Sequence, residues 1–156
     1  MTLPPHRVLV ALAAAGSAAL LLGALAFQFI GGLAPCPLCI WQRWPHLAAV
    51  VIGGLVLALG LRGLAWAGAL AAATSAGIGV FHVGVEQKWW EGLQSCSAGS
   101  IAGISAGDLL NPAVDVGAVV RCDEVAWALA GVSMAGWNVI ISALLAAVWV
   151  LAARAK

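Results

Sequence analysis

Two stretches of this chain carry no charged residue over lengths greater than a bilayer requires: Val8 to Ile30, 23 residues, and Leu64 to Val85, 22 residues. At 1.5 Å of rise per residue, about 20 residues of helix cross the hydrocarbon layer, so each run predicts a spanning helix. The run from Leu47 to Leu61 has only 15 residues, but Ile40 to Trp44 extends it with a single charge, Arg43. The last run, Trp127 to Ala153, has 27, so its beginning lies in the interface and the span itself starts near Met134. The expectation is an all-α, integral membrane four-helix bundle making one domain over residues 1–156. Its spans fall at about 8–30, 40–61, 64–85 and 134–153, with two outer loops at about 31–39 and 86–133. Composition agrees: 8% of residues are charged, against about 25% in an average soluble domain. The first run far exceeds the roughly 7 to 15 apolar residues of a cleaved leader, so an uncleaved first helix is expected.

Four spans return both termini to one side, beside the turn at Arg62. Arg7, Arg62, Arg154 and Lys156 lie there without an acid, whereas Glu86, Glu91, Asp108, Asp115, Asp123 and Glu124 all fall in the second far loop. Basic residues flanking short loops mark the cytoplasmic face, so the termini are expected in the cytoplasm and the far loops in the periplasm. Lys88 and Arg121 lie on the far side and make the bias modest. Trp41, Trp44, Trp89, Trp90, Trp127 and Trp137 sit near outer ends of spans, as an interfacial aromatic belt would. Small residues between Gly16 and Gly23, at Gly53-Gly54 and along the third span allow helices to approach closely. A net charge of +1 with no basic cluster speaks against nucleic acid as a partner.

All four cysteines fall in the outer loops: Cys36 and Cys39 in the first, Cys96 and Cys122 in the second. An even number on the oxidising face of a membrane is expected to pair, and four cysteines admit three connectivities that sequence does not choose among. Cys36-Pro37-Leu38-Cys39 is a C-x-x-C unit, a spacing common in redox sites because one sulfur reaches the other within a turn. The competing use of such a unit is half a zinc site, but zinc needs a second close pair or histidines. Here the other cysteines are far apart, and His46 and His82 lie in or at the edge of spans, so no metal is expected. Cys96 and Cys122 would serve equally as a staple for a long loop or as carriers in a redox relay.

If the second helix begins near Leu38, Cys39 and Arg43 lie one turn apart on one face. A guanidinium and the positive end of the helix dipole both favour a thiolate at Cys39. A charge at membrane depth is by default functional, although arginine near a helix end also snorkels to the headgroups. Pro45 removes one helical amide and leaves the Trp41 carbonyl without its usual donor. A redox thiol, a membrane-level arginine and flanking indoles suit a flat, lipid-soluble electron acceptor with polar oxygens, such as a quinone.

The run Pro35-Cys36-Pro37-Leu38-Cys39-Ile40-Trp41-Gln42-Arg43 resembles the first periplasmic loop of the DsbB family of disulfide-bond-formation proteins. So do Cys122-Asp123-Glu124-Val125-Ala126-Trp127 and Gly131-Val132-Ser133-Met134-Ala135-Gly136-Trp137. With the four-span order and both cysteine pairs, the resemblance covers nearly the whole chain. It implies a bacterial inner-membrane oxidoreductase in which a reduced DsbA-like thioredoxin-fold partner attacks Cys96. The released Cys122 attacks Cys36, and Cys39 is freed as a thiolate against ubiquinone or menaquinone, held in part by Arg43. On this resemblance the catalytic set is Cys36, Cys39, Cys96 and Cys122, and the quinone contacts are Cys39, Arg43 and His82. His82 is then either a proton acceptor near the quinone or a histidine at a helix end. The stretch Phe81-His82-Val83-Gly84-Val85-Glu86-Gln87-Lys88-Trp89-Trp90-Glu91-Gly92 is more similar to a short, DsbI-like branch of the family, whose partners include dedicated ones.

Beside Cys122, Asp123 and Glu124 should raise a thiol pKa and Arg121 should lower it, with opposite signs and no winner from sequence. Two other readings compete. A VKOR-like quinone reductase shares the four-helix plan but carries its C-x-x-C late in the chain, and here it is early. A non-enzymatic membrane protein with two structural disulfides predicts that Arg43 is replaceable and that no quinone binds.

Overall fold

The computed structural model describes residues 5–93 and 120–155; Cys96 lies outside them. Four long helices form the fold: α1 His6–Phe29, α2 Pro37–Leu59, α3 Ala65–Glu86 and α4 Met134–Arg154. Each is long and apolar enough to cross a membrane. Each packs mainly on its neighbour in the chain, except that α4 packs on both α3 and α1 and closes the bundle. Outward residues such as Leu22, Leu70 and Leu144 are 66%, 70% and 62% exposed, an apolar exterior that suits lipid and not water.

The helix ends follow local chemistry. Helix α2 starts at Pro37 and not near residue 40, because proline suits the first helical position and the Cys36 sulfur caps the helix by accepting from the Cys39 amide at 3.2 Å. Cys39 therefore stands in the first turn of a helix, as a start near Leu38 requires, and not in the loop at about 31–39. Pro45 does not end α2, which runs on to a left-handed Gly60 (φ +71°). At the opposite end of the bundle, the Arg7 guanidinium donates to the Leu57 carbonyl at 2.9 Å, and His6 Nδ1 meets the Ala152 carbonyl at 2.7 Å. The basic end of the chain is thus one physical surface, and the cysteines lie at the other.

Small residues set the helix spacing where side chains interlock. Gly68 of α3 faces the fully buried Trp149 of α4, Gly53 of α2 faces Ala14 of α1, and Gly16 of α1 faces Leu145 of α4. Gly23 and Gly54, grouped with them by sequence, meet nothing within 4 Å and take no part. One element was not expected: β1 Ala128–Leu129 pairs antiparallel with β2 Val132–Ser133 just before α4. Its two-residue turn places Ala130 at φ +52° and Gly131 at φ +76°, the backbone sense that matches strand twist in tight hairpins.

Candidate active site

At the cysteine end, α2 presents its first turn to α3 and to the segment that leads into α4. Cys36 and Cys39 are free thiols with their sulfurs 2.7 Å apart. Cys36 and Cys122 are both buried, and they pack with Leu38 and Val85 in one small cluster. Cys122 is disulfide-bonded. The sulfurs of Cys36 and Cys122 and a ring nitrogen of His82 all lie within 4.8 Å of one another. Such a trio has the compactness of a metal site, yet a sulfur already in a disulfide offers no thiolate to a metal. The same closeness suits exchange between sulfurs, which proceeds by thiolate attack on a disulfide. The hydrogen bond to Cys39, and then burial, push the Cys36 thiol well above its ordinary range.

A cavity of about 410 Å³ opens beside this pair between the four helices and the segment before α4, within the roughly 300–1,000 Å³ usual for small-molecule sites. Its walls are largely apolar, with Cys39, Arg43, His82, Glu86 and Asn138 among the lining residues. Arg43 faces inward: its guanidinium donates to Gln28 Oε1 at 2.6 Å and to the Ala24 carbonyl at 3.5 Å. Two α1 acceptors thus hold the charge at the cavity wall. Trp127 and Trp137 also line the cavity; Trp127 packs on Phe27 at 5.0 Å, and Trp137 Nε1 donates to the Leu129 carbonyl at 3.2 Å. Those two indoles are walls of the site, while Trp41, Trp44 and Trp89, each at least half exposed, keep the belt role.

The charges beside Cys122 are paired with one another. Arg121 forks onto Asp123 at 3.0 and 2.7 Å and reaches Glu124 at 3.2 Å. The guanidinium holds the Asp123 carboxyl below the usual carboxylate range. The single guanidinium thus offsets one of the two carboxylates, and the cluster keeps a net negative charge beside Cys122.

The structure also assembles a buried polar cluster that sequence reasoning did not pick out. Gln42 Nε2 donates to the Leu38 carbonyl at 3.0 Å and contacts His82 Nδ1 at 2.9 Å, while Gln42 Oε1 accepts from Asn138 Nδ2 at 2.7 Å. Asn138 Oδ1 meets His46 Nε2 at 3.0 Å and accepts from Ser142 at 3.2 Å, and the Ser75 hydroxyl lies 3.0 Å from the same His46 nitrogen. Nearer the cysteines, Glu86 accepts from Ser133 at 2.5 Å, and its other oxygen lies 3.9 Å from His82 Nε2. The His82 ring is also hydrogen-bonded to the Cys122 backbone. The signal was available: Gln42 and His46, and likewise Asn138 and Ser142, stand four apart in apolar spans, and polar side chains repeated on one face of such a span mark a built interior.

Comparison with known proteins places these features in context. The family model described as "Disulfide bond formation protein DsbB" matches residues 6–152. A protein of Methylococcus capsulatus named "Disulfide bond formation protein B" is 36% identical over 148 residues, covering 90% of this chain and 89% of that one. A protein of the same name from Verminephrobacter eiseniae is 35% identical, covering 90% and 81%. Another from Stutzerimonas stutzeri is 29% identical over 99% of both chains. No solved structure matches.

Proposed function

The chain belongs to the DsbB family of disulfide bond formation proteins, as a membrane-embedded, disulfide-forming oxidoreductase, and from that premise we propose that it reoxidises a periplasmic DsbA-like dithiol protein at the expense of a membrane quinone. The observation that carries the proposal is the placing of the closely spaced Cys36–Cys39 pair between the Cys122 sulfur and an arginine-bearing apolar cavity. In this reading Cys96 and Cys122 form the disulfide that meets the partner. The relay starts with Cys36 and Cys39 joined as a second disulfide, the reduced pair of this structure being its product. The partner's thiolate bonds to Cys96, Cys122 leaves and bonds to Cys36, and Cys39 leaves as a thiolate at the cavity wall. The partner's second thiolate closes the partner's disulfide and releases Cys96. Bound ubiquinone or menaquinone supplies the two-electron acceptor there. The net change converts the partner's dithiol and one quinone into the partner's disulfide and one quinol. Arg43 offers its guanidinium to a polar oxygen in the cavity, while the apolar walls keep water from the thiolate. The cysteine end faces the periplasm of a bacterial inner membrane, in keeping with basic residues at the opposite end.

A pair of purely structural disulfides leaves Arg43 without a role at the wall of an apolar cavity beside Cys39. The test is to mix the purified protein with a ubiquinone analogue and a reduced DsbA-like protein, following quinone absorbance and the partner's thiols together. One quinone consumed per partner oxidised, over many cycles, supports the proposal; no consumption with several dithiol partners removes it. A second expected result concerns Arg43→Leu. Loss of a charge-assisted hydrogen bond is worth about 1.5–3 kcal/mol, so the KM for quinone should rise by about 10- to 100-fold. The first exchange with the partner, measured without quinone, should be unchanged; an unaltered KM would remove Arg43 from the site.

A further inference from the structure

The two amides below the cysteines have only one consistent orientation. The Leu38 carbonyl can only accept, so the atom of Gln42 that meets it at 3.0 Å is the nitrogen. Asn138 is anchored in the same way, its nitrogen lying 3.4 Å from the Ser75 carbonyl. Gln42 Oε1 then accepts from Asn138 at 2.7 Å, and the second N–H of Gln42 is aimed at His82 Nδ1 at 2.9 Å. Turning the Gln42 amide over would set oxygen against the Leu38 carbonyl and nitrogen against the Asn138 nitrogen, two repulsions in a buried place. His82 Nδ1 must therefore accept, and the ring proton resides on Nε2. That nitrogen faces Cys36 Sγ at 3.6 Å and shares its proton with the Cys122 backbone, with the Glu86 carboxylate as a more distant acceptor at 3.9 Å.

We propose that Gln42 is a positioning residue that fixes the His82 tautomer, so that His82 Nε2–H acts as a hydrogen-bond donor to the Cys36 sulfur. The inference rests on the relay reading for its purpose. Once Cys122 and Cys36 are joined and the partner's second thiolate has closed the partner's own disulfide, releasing Cys96 as a thiolate, Cys96 attacks Cys122. The Cys96–Cys122 bond forms, the Cys122–Cys36 bond breaks, and the electron pair of the broken bond leaves on Cys36. No electron enters or leaves the protein in that step, and no proton is required. Negative charge thus collects on a sulfur that is 3% exposed, where an uncompensated ion is costly. Two donors are already in place: the Cys39 amide at the start of α2, at 3.2 Å, and His82 Nε2–H. The titratable groups facing this pair are Cys39, Cys122 and Glu86; the Glu86 carboxylate and the Cys122 backbone are the other acceptors for the His82 proton, and charge gathering on the nearby Cys36 sulfur draws it toward sulfur.

The experiment uses the full chain in lipid nanodiscs, labelled with ¹⁵N-histidine and ¹³C-cysteine, with no partner and no quinone. Wild type should show His82 protonated on Nε2 and bare on Nδ1. In a Cys39→Ser background, where Cys36 is the free thiol, the Cys36 carbon shift followed against pH gives its thiolate midpoint. Gln42→Met, of similar length but without a donor, should release the tautomer and raise that midpoint by about one unit, a tenfold loss of thiolate. Gln42→Glu, whose carboxylate accepts from Nδ1–H, should reverse the tautomer and raise the midpoint as well. A wild-type His82 protonated on Nδ1 overturns the proposal. So does a Gln42→Glu protein with unchanged tautomer and midpoint, which decides the matter even if Gln42→Met does not fold. Both readouts are independent of quinone reduction, so failure of the oxidase reading would show in turnover with the tautomer intact.

Discussion

Cys39→Ser is expected to oxidise one equivalent of a reduced DsbA-like partner and then stop, with steady-state quinone reduction at least about a thousandfold below wild type, as when a nucleophile is removed from a covalent mechanism. The reason lies in the division of labour between the sulfurs. The disulfide that includes Cys122 can still accept two electrons from the partner once. Cys36, lying within 4.8 Å of the Cys122 sulfur, then has no disulfide to offer, because Cys39 is its neighbour at 2.7 Å. Serine keeps the shape of the first turn of α2 but cannot carry the electron pair onward to the cavity. The measurement is quinone absorbance against partner thiols at increasing ratios of partner to protein. Sustained turnover in the variant would mean that electrons reach the acceptor without Cys39, and the order of the relay would have to be redrawn.

Gly68→Val is expected to be the most damaging single change outside the cysteines, a loss of about 3 kcal/mol or a failure to accumulate in the membrane. A β-carbon at Gly68 would stand 2.6 Å from the Cδ2 and Cε3 atoms of Trp149. Trp149 is the largest fully buried side chain among the described residues, and it packs with Val10, Val56 and Ala72 in the core at the basic end. An indole enclosed on all sides cannot step aside, so helices α3 and α4 must separate; overpacking of this kind costs about 1–3 kcal/mol and sometimes more. Gly77→Val, on the same helix, meets nothing within 4 Å and should change stability by less than about 0.5 kcal/mol. Unfolding of both variants by SDS titration in mild detergent would separate the two cases. Equal stability would show that the Gly68–Trp149 contact does not set the helix spacing.

Much of the site was readable along the chain because its parts are close in sequence. Cys36, Cys39 and Arg43 occupy eight consecutive positions, and a helix starting at the proline between the cysteines puts the last two on one face. His82 was noticed but not placed, since a histidine near the end of an apolar run is equally a ligand, a base or a filler. Gln42, Asn138, Ser75 and Glu86 were passed over one by one. Each has an ordinary explanation alone, and only their meeting point gives them a role. The acids beside Cys122 show the converse, for sequence set them against Arg121, and the fold draws the three into one ion-pair cluster in which the guanidinium offsets one carboxylate of the two.

What the sequence by itself determined is the solvent, the number of crossings and the end of the bundle where the chemistry lies. Each of these depends on sums over many residues: uncharged length against bilayer thickness, basic residues against acidic ones, cysteines against spans. Such sums are insensitive to the position of any single atom. Tertiary structure alone decided which groups share a hydrogen bond, because Gln42 and Asn138 are 96 residues apart and their meeting depends on the rotation of α2 and α4 about their own axes. That rotation is set by where glycine lets a helix approach and where an indole holds it away, as Gly68 and Trp149 do. Hydrogen bonds act over a few tenths of an ångström, so the direction in which His82 presents its proton follows from packing and not from pattern.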